Sequence, residues 1–480
     1  MIVGLHHSVS HCVGWSRFFL GNDSSGPQAM GCALNISIIV LLVSLVIGYF
    51  VYEHSLPPPV PNVELMYWGL GKEKPDDKTI KPYKIKFPES DLEDLRKRIS
   101  NTRTLTPPIV EGFNYGFNTV YLNKFVEFWK NKYNWTERET YLNKYPQFTT
   151  EIAGLDIHFI HVKPDKALIK GRKVLPLLMI HGWPGSVVEF YKIIPMLTTP
   201  RPDADFVFEV IAPSLPGYAF SEAASKPGLH HGHIGLIFNE LMDRLGFKQY
   251  YIQGGDWGSF IGRAMTILRP DRVLGYHSNF CAAETSKAKL YMLLFYLFPK
   301  LFVEESIQEK YVSQFPDMIL ESGYFHLQAT KPDTVGVALT DSPVGLATYI
   351  LEKFSTWTDR EWRSLPDGGL EKLDKVELLD NVMIYWLTNS ITTSMRLYKE
   401  YFADDIFKHG LFRGLTTVPT GCIYFKNEIA IYPRQVLEQT YTNLISYNLQ
   451  TKGGHFAAME LPELLSADIW NFLKLLMKKK

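Results

Sequence analysis

The chain has 480 residues, more than a single hydrophobic core usually holds, so we expect a main domain with an added module or lid. Basic and acidic residues number 50 each, a balance that excludes the strongly basic surface of nucleic-acid-binding proteins. The four cysteines, Cys12, Cys32, Cys281 and Cys422, are scattered without metal-binding spacing. We therefore expect a reducing compartment, no disulfide framework and no metal site.

The N-terminal part of the chain contains a long uncharged run. Ala33 to Tyr52 carries no charged side chain and is about as long as an α-helix that crosses a bilayer. We expect an uncleaved membrane anchor in residues 30–61, which ends in a stiff proline-rich spacer at residues 56–61. Residues 1–29 are predicted to be an extension of unknown role, and translation from Met30 would give a simple signal-anchored protein.

Charges near the uncharged run orient it only weakly. Lys72 and Lys74, together with the free cysteines, favour a cytosolic body. Asn134-Trp135-Thr136 is a glycosylation sequence that would matter only if the body were luminal.

Residues 62–147 are predicted to wrap the main domain without contributing to its chemistry. Three amphipathic helices are predicted in this segment, at Pro88–Ile99, Leu122–Tyr133 and Thr136–Tyr145. Ser90 and Glu93 have the spacing of a capping box at the start of the first helix.

Strands alternate with helices in residues 148–282 and again in 409–480. The predicted strands are Phe148–Ile152, Leu155–Val162, Leu175–Ile180, Phe206–Pro213, Tyr250–Ile252, Val273–Ser278, Val418–Phe425 and Leu444–Leu449. This alternation predicts an α/β core with a mostly parallel sheet, whose reactive groups belong at the carboxyl ends of the strands. His158 and His161 are expected on solvated strand faces that point to opposite sides, an arrangement that does not bind a metal.

Residues 283–408 interrupt the alternation with a helical, aromatic-rich segment. Helices are predicted at Leu290–Phe302, Thr348–Phe354 and Leu378–Tyr401. An insertion of this kind after a sheet strand is typical of a lid over an active site.

The most informative motif is Gln253-Gly254-Gly255-Asp256-Trp257-Gly258-Ser259, between a short apolar strand and a helix. A strand, a tight glycine turn and a helix have the form of a nucleophile elbow. Here Asp256 occupies the position that serine usually holds, and a carboxylate nucleophile forms an ester with an alkyl carbon. On this motif alone, Asp256 could equally be an ordinary helix N-cap.

Two further polar residues follow predicted strands in the order of the α/β-hydrolase triad. Asp256 is followed by Glu428, which would orient the histidine, and by His455, which would act as general base. The backbone amides of Trp183 and Trp257 would converge on one oxygen as an oxyanion hole. The sequence therefore predicts an α/β-hydrolase fold with a helical lid, an N-terminal wrapping segment and a membrane anchor.

Core and lid motifs together carry a resemblance to a known family. They are His181-Gly182-Trp183-Pro184-Gly185-Ser186, Gly254–Ser259, Gly453-Gly454-His455-Phe456, Glu321–Tyr324, Lys331–Gly336 and Ile350–Trp357. In these motifs the chain resembles the microsomal epoxide hydrolases, most of all the insect juvenile hormone epoxide hydrolases. The resemblance covers the chain from the anchor to the end and implies a protein of the endoplasmic reticulum membrane that uses no cofactor.

The resemblance also implies two lid tyrosines that donate a proton to the epoxide oxygen. The matching positions are Tyr324 and Tyr398, and Tyr385 is a lower-ranked alternative. Ring opening generates an alkoxide, and a phenol can donate to that oxygen at neutral pH.

The expected activity is hydrolysis of lipophilic epoxides, either juvenile hormone or foreign epoxides, to vicinal diols through an ester on Asp256. The expected partners are the epoxide, water and the lipid bilayer, without nucleic acid or metal. Two alternatives remain open at this point. One is a haloalkane dehalogenase, which would need N–H donors for a halide, and the other is a non-catalytic, membrane-tethered carrier of hydrophobic ligands.

Overall fold

The computed structural model describes residues 37–38, 40–49, 52, 62–402 and 410–478. The chain divides into two units, Met1–Pro57 and Pro58–Lys480. In the first unit the structure describes one apolar helix, α1 (Val40–Tyr49). The predicted extension, part of the uncharged run and the whole proline-rich spacer lie outside the described residues.

No single helix within the described ranges is long and apolar enough to cross a membrane. Two consecutive helices in the second unit, Pro332–Asp341 and Pro343–Thr356, reach the necessary length and composition only together, and they are bent by 119°.

Nine strands of the described chain form one sheet in the second unit. They are β1 (Lys81–Tyr83), β2 (Gln147–Ile152), β3 (Leu155–Val162), β4 (Lys173–Ile180), β5 (Phe206–Pro213), β6 (Tyr250–Gly254), β7 (Val273–Ser278), β8 (Thr420–Tyr424) and β9 (Leu444–Leu449). Their spatial order is β1-β2-β3-β5-β4-β6-β7-β8-β9. Strands β1, β2, β3 and β5 pair antiparallel, whereas all pairs from β5 to β9 are parallel.

Helices cover the sheet and fill the insertion. Those of the N-terminal segment and the core are α2 (Glu89–Ser100), α3 (Thr119–Lys132), α4 (Trp135–Leu142), α5 (Lys166–Ile169), α6 (Ile194–Thr198), α7 (His231–Arg244) and α8 (Trp257–Leu268). The insertion contains α9 (Ser286–Leu297), α10 (Pro299–Phe302), α11 (Glu305–Glu321), α12 (Gly323–Thr330), α13 (Pro332–Asp341), α14 (Pro343–Thr356), α15 (Lys375–Leu387) and α16 (Ile391–Tyr401). The C-terminal part adds α17 (Arg434–Leu437), α18 (Ala457–Glu460) and α19 (Pro462–Lys478).

The main core lies along the parallel strands. Ile180, Ile211 and Ile252 are fully buried because helices cover both faces of the sheet. The N-terminal segment belongs to the same hydrophobic core, which includes Phe125 and Trp129 of α3. This segment also adds β1 to the sheet, a contribution that its polar sequence did not indicate.

Most predicted elements agree with the observed ones to within a few residues, and the predicted β2–β3 hairpin turns at Ala153-Gly154 with positive φ at both residues. The prediction of one helix over Leu378–Tyr401 is wrong, because the chain breaks between α15 and α16, where Asn389 has φ 52°. The predicted capping box at Ser90 is also wrong. The N-cap of α2 is Pro88, without a side-chain hydrogen bond.

The prediction that His158 lies on a solvated strand face is wrong. His158 is fully buried, and its two ring nitrogens lie 2.9 Å from Ser214 Oγ and 2.9 Å from Gln147 Oε1. Tyr83 of the N-terminal segment and Phe220 cover the ring. Burial lowers the pKa of His158 to about 3, so the ring is neutral.

The prediction that the chain has no disulfide is wrong as well. Cys281, just beyond β7, and Cys422, in β8, are disulfide-bonded with Cα atoms 6.0 Å apart. They are 141 residues apart in sequence, but β7 and β8 are adjacent parallel strands. Scattered positions along a chain therefore do not exclude pairing within a sheet.

Candidate active site

The turn after β6 places Asp256 at the carboxyl edge of the sheet. Asp256 has φ 48°, which is unusual for a residue other than glycine, and it occupies the N-cap position of α8. Its side chain makes no hydrogen bond to the helix, so it does not act as a cap. Instead, Oδ1 accepts a hydrogen bond of 2.8 Å from the backbone amide of Trp183. Strained backbone that exposes a polar side chain is typical of functional sites.

Glycines make this turn sterically possible. A Cβ at Gly258 would overlap the carbonyl oxygen of Ile180, so α8 can approach the end of β4 only with glycine there. A Cβ at Gly182 would overlap the carboxylate of Asp256. The glycines of the two motifs thus bring the carboxylate against the loop that follows β4.

Asp256, His455 and Glu428 form one hydrogen-bonded chain. His455 Nε2 lies 3.2 Å from Asp256 Oδ2, and His455 Nδ1 lies 2.5 Å from Glu428 Oε1. Glu428 is fully buried just beyond β8, and its Oε1 also accepts 2.7 Å from the amide of Ile429. The amide of His455 donates to the carbonyl of Trp357, which fixes the histidine loop against the insertion.

The electrostatics of His455 depend on both carboxylates. Burial alone would lower the pKa of His455, but the charges and hydrogen bonds of Glu428 and Asp256 outweigh burial and raise it well above its ordinary value. An imidazolium between two carboxylates is therefore the stable state while Asp256 carries its charge. Any reaction that neutralises Asp256 removes part of this stabilisation and lowers the pKa of His455, so the imidazolium releases its proton and the neutral ring can act as a base.

The loop after β4 provides the predicted oxyanion donors. The amide of Trp183 already contacts the carboxylate of Asp256, and the amide of Trp257 is the first of α8, where helix amides have no partner within the helix. The Trp183–Pro184 peptide bond is cis. Asn381 Nδ2 donates 2.6 Å to the carbonyl of Pro184, and this contact ties the loop to α15.

Tyr324 and Tyr398 line the same cavity as Asp256. The cavity has a volume of about 250 Å³, lies between the core and the insertion and has mostly apolar walls. The Tyr324 ring stacks on Trp183 at 5.5 Å, and the Tyr398 ring lies edge-on to Trp257 at 4.7 Å. Burial and the nearby Asp256 carboxylate raise the pKa of Tyr324 well above 10, and burial together with Tyr324 does the same for Tyr398. Both phenols therefore remain O–H donors.

Tyr385, the alternative to these tyrosines, has a different environment. Its hydroxyl donates 2.8 Å to the carbonyl of Gly185, and the residue does not line the cavity. The arrangement thus assigns Tyr385 to the support of the loop after β4. Across the described ranges of the chain, no cluster of His, Cys, Asp or Glu side chains has the arrangement of a metal site.

Glu460 is a site residue that the sequence reasoning missed. Its two carboxylate oxygens accept 2.9 Å hydrogen bonds from the amides of Gly454 and Phe456, the residues on either side of His455. A glutamate five positions after the histidine, at the end of a short helix, was the only available signal. Through these two hydrogen bonds, Glu460 holds the loop that carries His455.

Two family models match the chain. "Epoxide hydrolase N terminus" matches residues 80–190, and "alpha/beta hydrolase fold" matches residues 176–413. Juvenile hormone epoxide hydrolase 2 of Ctenocephalides felis is 51% identical over 444 residues, which cover 91% of this chain and 95% of the relative. Epoxide hydrolase 1 of Sus scrofa is 46% identical over 454 residues, covering 91% and 98%.

A solved structure agrees with these relatives. The crystal structure of juvenile hormone epoxide hydrolase from the silkworm Bombyx mori superimposes with a TM-score of 0.83 at 44% identity. The match covers 87% of this chain and 99% of the silkworm chain.

Proposed function

Because the chain belongs to the microsomal epoxide hydrolase family and is an epoxide hydrolase, we propose that it opens lipophilic epoxides through a covalent ester on Asp256. The observation that carries this proposal is the position of the Asp256 carboxylate. It is hydrogen-bonded to His455 and to the amide of Trp183, and it lines the same cavity as Tyr324 and Tyr398. Membership of this family excludes haloalkane dehalogenation and non-catalytic ligand carriage as the main function.

In the first step Asp256 attacks an epoxide carbon. Oδ1 is held by the amide of Trp183, so Oδ2 is the attacking oxygen and Oδ1 becomes the ester carbonyl. The carbon–oxygen bond of the ring breaks, and the departing oxygen takes a proton from Tyr324 or Tyr398. Phenols with a raised pKa donate only as the alkoxide forms, so they assist the transition state rather than the resting substrate.

In the second step water cleaves the ester. Esterification removes the charge of Asp256, so the pKa of His455 falls and the imidazolium gives up its proton, which replaces the one that Tyr324 or Tyr398 donated. The neutral ring then takes a proton from water. Glu428 holds the resulting imidazolium. The oxygen of water bonds to Cγ of Asp256, and the oxyanion at Oδ1 rests on the amides of Trp183 and Trp257. The Cγ–Oδ2 bond then breaks, Oδ2 takes a proton from His455, and the vicinal diol leaves. The second proton of the water returns to His455 as Asp256 regains its charge.

Isotope labelling tests this mechanism. In a single turnover in H₂¹⁸O, the diol should carry unlabelled oxygen from Asp256, and the peptide that contains Asp256 should gain the label. Label that appears in the diol during the first turnover would exclude the ester intermediate.

We propose juvenile hormone as the preferred substrate, with foreign lipophilic epoxides as secondary ones. Support comes from the apolar cavity and from the relatives in the flea and the silkworm, which are named juvenile hormone epoxide hydrolases. The test compares kcat/KM for juvenile hormone and for styrene oxide. A preference for styrene oxide would contradict the juvenile hormone assignment without affecting the mechanism.

We further propose a single-pass N-terminal anchor in the endoplasmic reticulum membrane, supported by the uncharged run from Ala33 to Tyr52. A cytosolic body now rests on Lys72 and Lys74 alone, because Cys281 and Cys422 are paired. Asn134 is exposed, so its glycosylation reports the orientation. A cytosolic body predicts no change in mass after glycosidase treatment, and a glycan on Asn134 would place the body in the lumen.

A further inference from the structure

Two small cavities lie on either side of Glu189, beside the catalytic pair. The inner cavity, about 20 Å³, is lined by Glu189, Asp256, His455 and Gln253, among others. The outer cavity, about 10 Å³, is lined by Glu189 and by the partly exposed Lys192. A water molecule needs about 10–15 Å³ of such space, so the two volumes are close to that of one molecule each. Asp256 lines both the inner cavity and the substrate cavity, so the carboxylate separates the two.

The inner cavity offers polar partners for a water molecule. Gln253 is 1% exposed, and its Nε2 donates 2.8 Å to Asn279 Oδ1. Its Oε1 is a buried acceptor to which no group among the described residues donates. Together with Asp256 and His455 this acceptor provides the two to four partners that an ordered water requires.

Glu189 is held next to this cavity by the loop after β4. A Cβ at Gly185 would overlap Oε1 of Glu189, so the glycine makes room for the carboxyl group. The amide of Ser186 donates to the same carboxyl group. Burial raises the pKa of Glu189 to about 8, so near neutral pH the group carries a proton that it can donate to water.

We propose that the inner cavity binds the water that hydrolyses the Asp256 ester and that Glu189 positions this water. Glu189 also separates the inner cavity from the outer cavity, through which a new water molecule enters. The inference rests on the proposed function, because an ester must first form. A lipophilic substrate fills the cavity on the side of the insertion, so water has to reach His455 from the opposite side. The water oxygen bonds to Cγ and one of its protons passes to His455 Nε2. The ester bond to the diol oxygen then breaks, and that oxygen takes the proton from His455.

The test separates the two half-reactions by rapid-mixing kinetics. Glu189→Leu should leave the rate of ester formation unchanged and slow ester hydrolysis about 100-fold, which is within the range for a positioned proton-transfer group. Glu189→Gln should restore hydrolysis to within a few-fold of wild type, because the amide still hydrogen-bonds to water. Glu438→Leu is the control and should change neither rate, because this half-exposed carboxylate pairs with Arg434 and lines neither cavity.

Four outcomes overturn this proposal or its premise. Wild-type ester hydrolysis in Glu189→Leu would overturn it, and equal slowing of both steps would reduce Glu189 to a structural role. If the leucine variant does not fold, Gly185→Ala displaces the carboxyl group and should slow hydrolysis about tenfold, within the same range. A wild-type rate there would also overturn the proposal. Wild-type enzyme that forms no ester would instead refute the proposed function.

A second, independent observation concerns the outer surface of the insertion. In α9 four leucines at helical spacing, Leu290, Leu293, Leu294 and Leu297, are 42%, 54%, 39% and 57% exposed. Leu301 of α10 continues the stripe and is 76% exposed. The apolar face of a globular helix normally points to the core, whereas this face points outwards. Large exposed apolar surfaces mark interaction sites.

The apolar surface extends towards the entrance of the substrate cavity. Met318, Ile319 and Leu320, at the end of α11, are 46%, 81% and 77% exposed. Met318 also lines the substrate cavity. The rings of Tyr296 and Phe315 pack at 4.7 Å and join α9 to α11.

The charges beside the stripe favour an anionic lipid surface. Lys287, Lys289 and Lys300 lie in α9 and α10, and residues 286–302 contain no acidic side chain. Basic residues next to apolar side chains are typical of helices that lie in the interface of a bilayer.

We infer that α9, α10 and the end of α11 dock on the surface of a lipid bilayer, so that a lipophilic epoxide enters the cavity beside Met318 directly from the lipid. The inference shares with the proposed function only the lipophilic substrate, and docking can be measured without turnover.

The experiment uses the full chain in vesicles of phosphatidylcholine and phosphatidylserine with brominated acyl chains. In a background with Cys12→Ser and Cys32→Ser, a fluorophore is attached at Leu293→Cys. Leu168→Cys is the control, because Leu168 is 46% exposed and precedes β4. It therefore lies at the amino ends of the parallel strands, whereas the insertion follows the carboxyl end of β7. Fluorescence at position 293 should be quenched several-fold more strongly than at 168. Equal quenching would overturn the inference.

A functional measurement complements the quenching. Leu293→Asp combined with Leu297→Asp should raise KM for a lipophilic epoxide in vesicles about tenfold, a modest part of the burial free energy of two leucines. The kcat on a small water-soluble epoxide should not change. A fluorophore at position 293 that is shielded from solvent without lipid, and more so at higher protein concentration, would assign the surface to a second copy of the chain. Shielding without lipid that does not depend on concentration would assign it to the chain's own N-terminal residues. Either result would overturn the inference.

Discussion

The two halves of the active site are built by different forces. In the core half, Asp256, His455 and Glu428 are joined by hydrogen bonds of 3.2 Å and 2.5 Å and fixed by backbone amides. In the insertion half, Tyr324 and Tyr398 are positioned mainly by ring contacts with Trp183 and Trp257. Hydrogen bonds fix direction and distance, whereas ring contacts tolerate small shifts. We therefore expect the core half to determine whether the reaction occurs and the insertion half to tune its rate.

The largest expected effect removes the nucleophile from the core half. Asp256→Ala should lower kcat by at least about 10⁴-fold, because no other group can form the ester. The measurement is diol formation, with the exposed carboxylate variant Asp271→Ala as a control that should behave like wild type. Substantial epoxide turnover by Asp256→Ala would place the nucleophile elsewhere.

A second change in the core half should separate the two steps. His455→Gln should form the ester but hydrolyse it about 10³-fold more slowly, because no base remains to activate water. Mass spectrometry of the intact protein should then show a stable adduct of the mass of the epoxide. An unchanged steady-state rate would remove His455 from the role of base.

Changes in the insertion half should have smaller effects. Tyr324→Phe and Tyr398→Phe should each slow ester formation about 10- to 100-fold, because the second phenol still donates to the epoxide oxygen. The double variant should lose more than either single one. Tyr385→Phe is the matched control and should leave ester formation nearly unchanged, since its hydroxyl serves the carbonyl of Gly185. Loss comparable to that in Asp256→Ala would erase the distinction between the halves.

The same division explains what could be read from the sequence. Asp256, Glu428 and His455 follow predicted strands in the order of the hydrolase triad, and a glycine turn surrounds Asp256, so local patterns located the core half. The chain has 26 tyrosines, and only a family resemblance selected Tyr324 and Tyr398, because helix packing in the insertion leaves no local pattern. The Cys281–Cys422 disulfide and the burial of His158 depend on strand adjacency and on cover by distant segments. Neither property is encoded locally.

The smallest expected effect concerns the support of the histidine loop by Glu460. Burial raises the pKa of Glu460 to about 8, above its value in an unfolded chain. Between these two pKa values the folded state binds a proton that the unfolded state has released. The stabilisation from this proton is complete below about pH 4.5 and is lost above about pH 8. Between these limits it falls by up to about 1.4 kcal/mol per pH unit. Glu460→Gln removes the titrating group, so thermal unfolding of the variant should depend less steeply on pH across that window.

The variant keeps an acceptor for only one of the amides of Gly454 and Phe456, and its kcat should fall only a few-fold. Wild-type and variant stability curves that run parallel from pH 5 to 8 would show that Glu460 does not hold this proton.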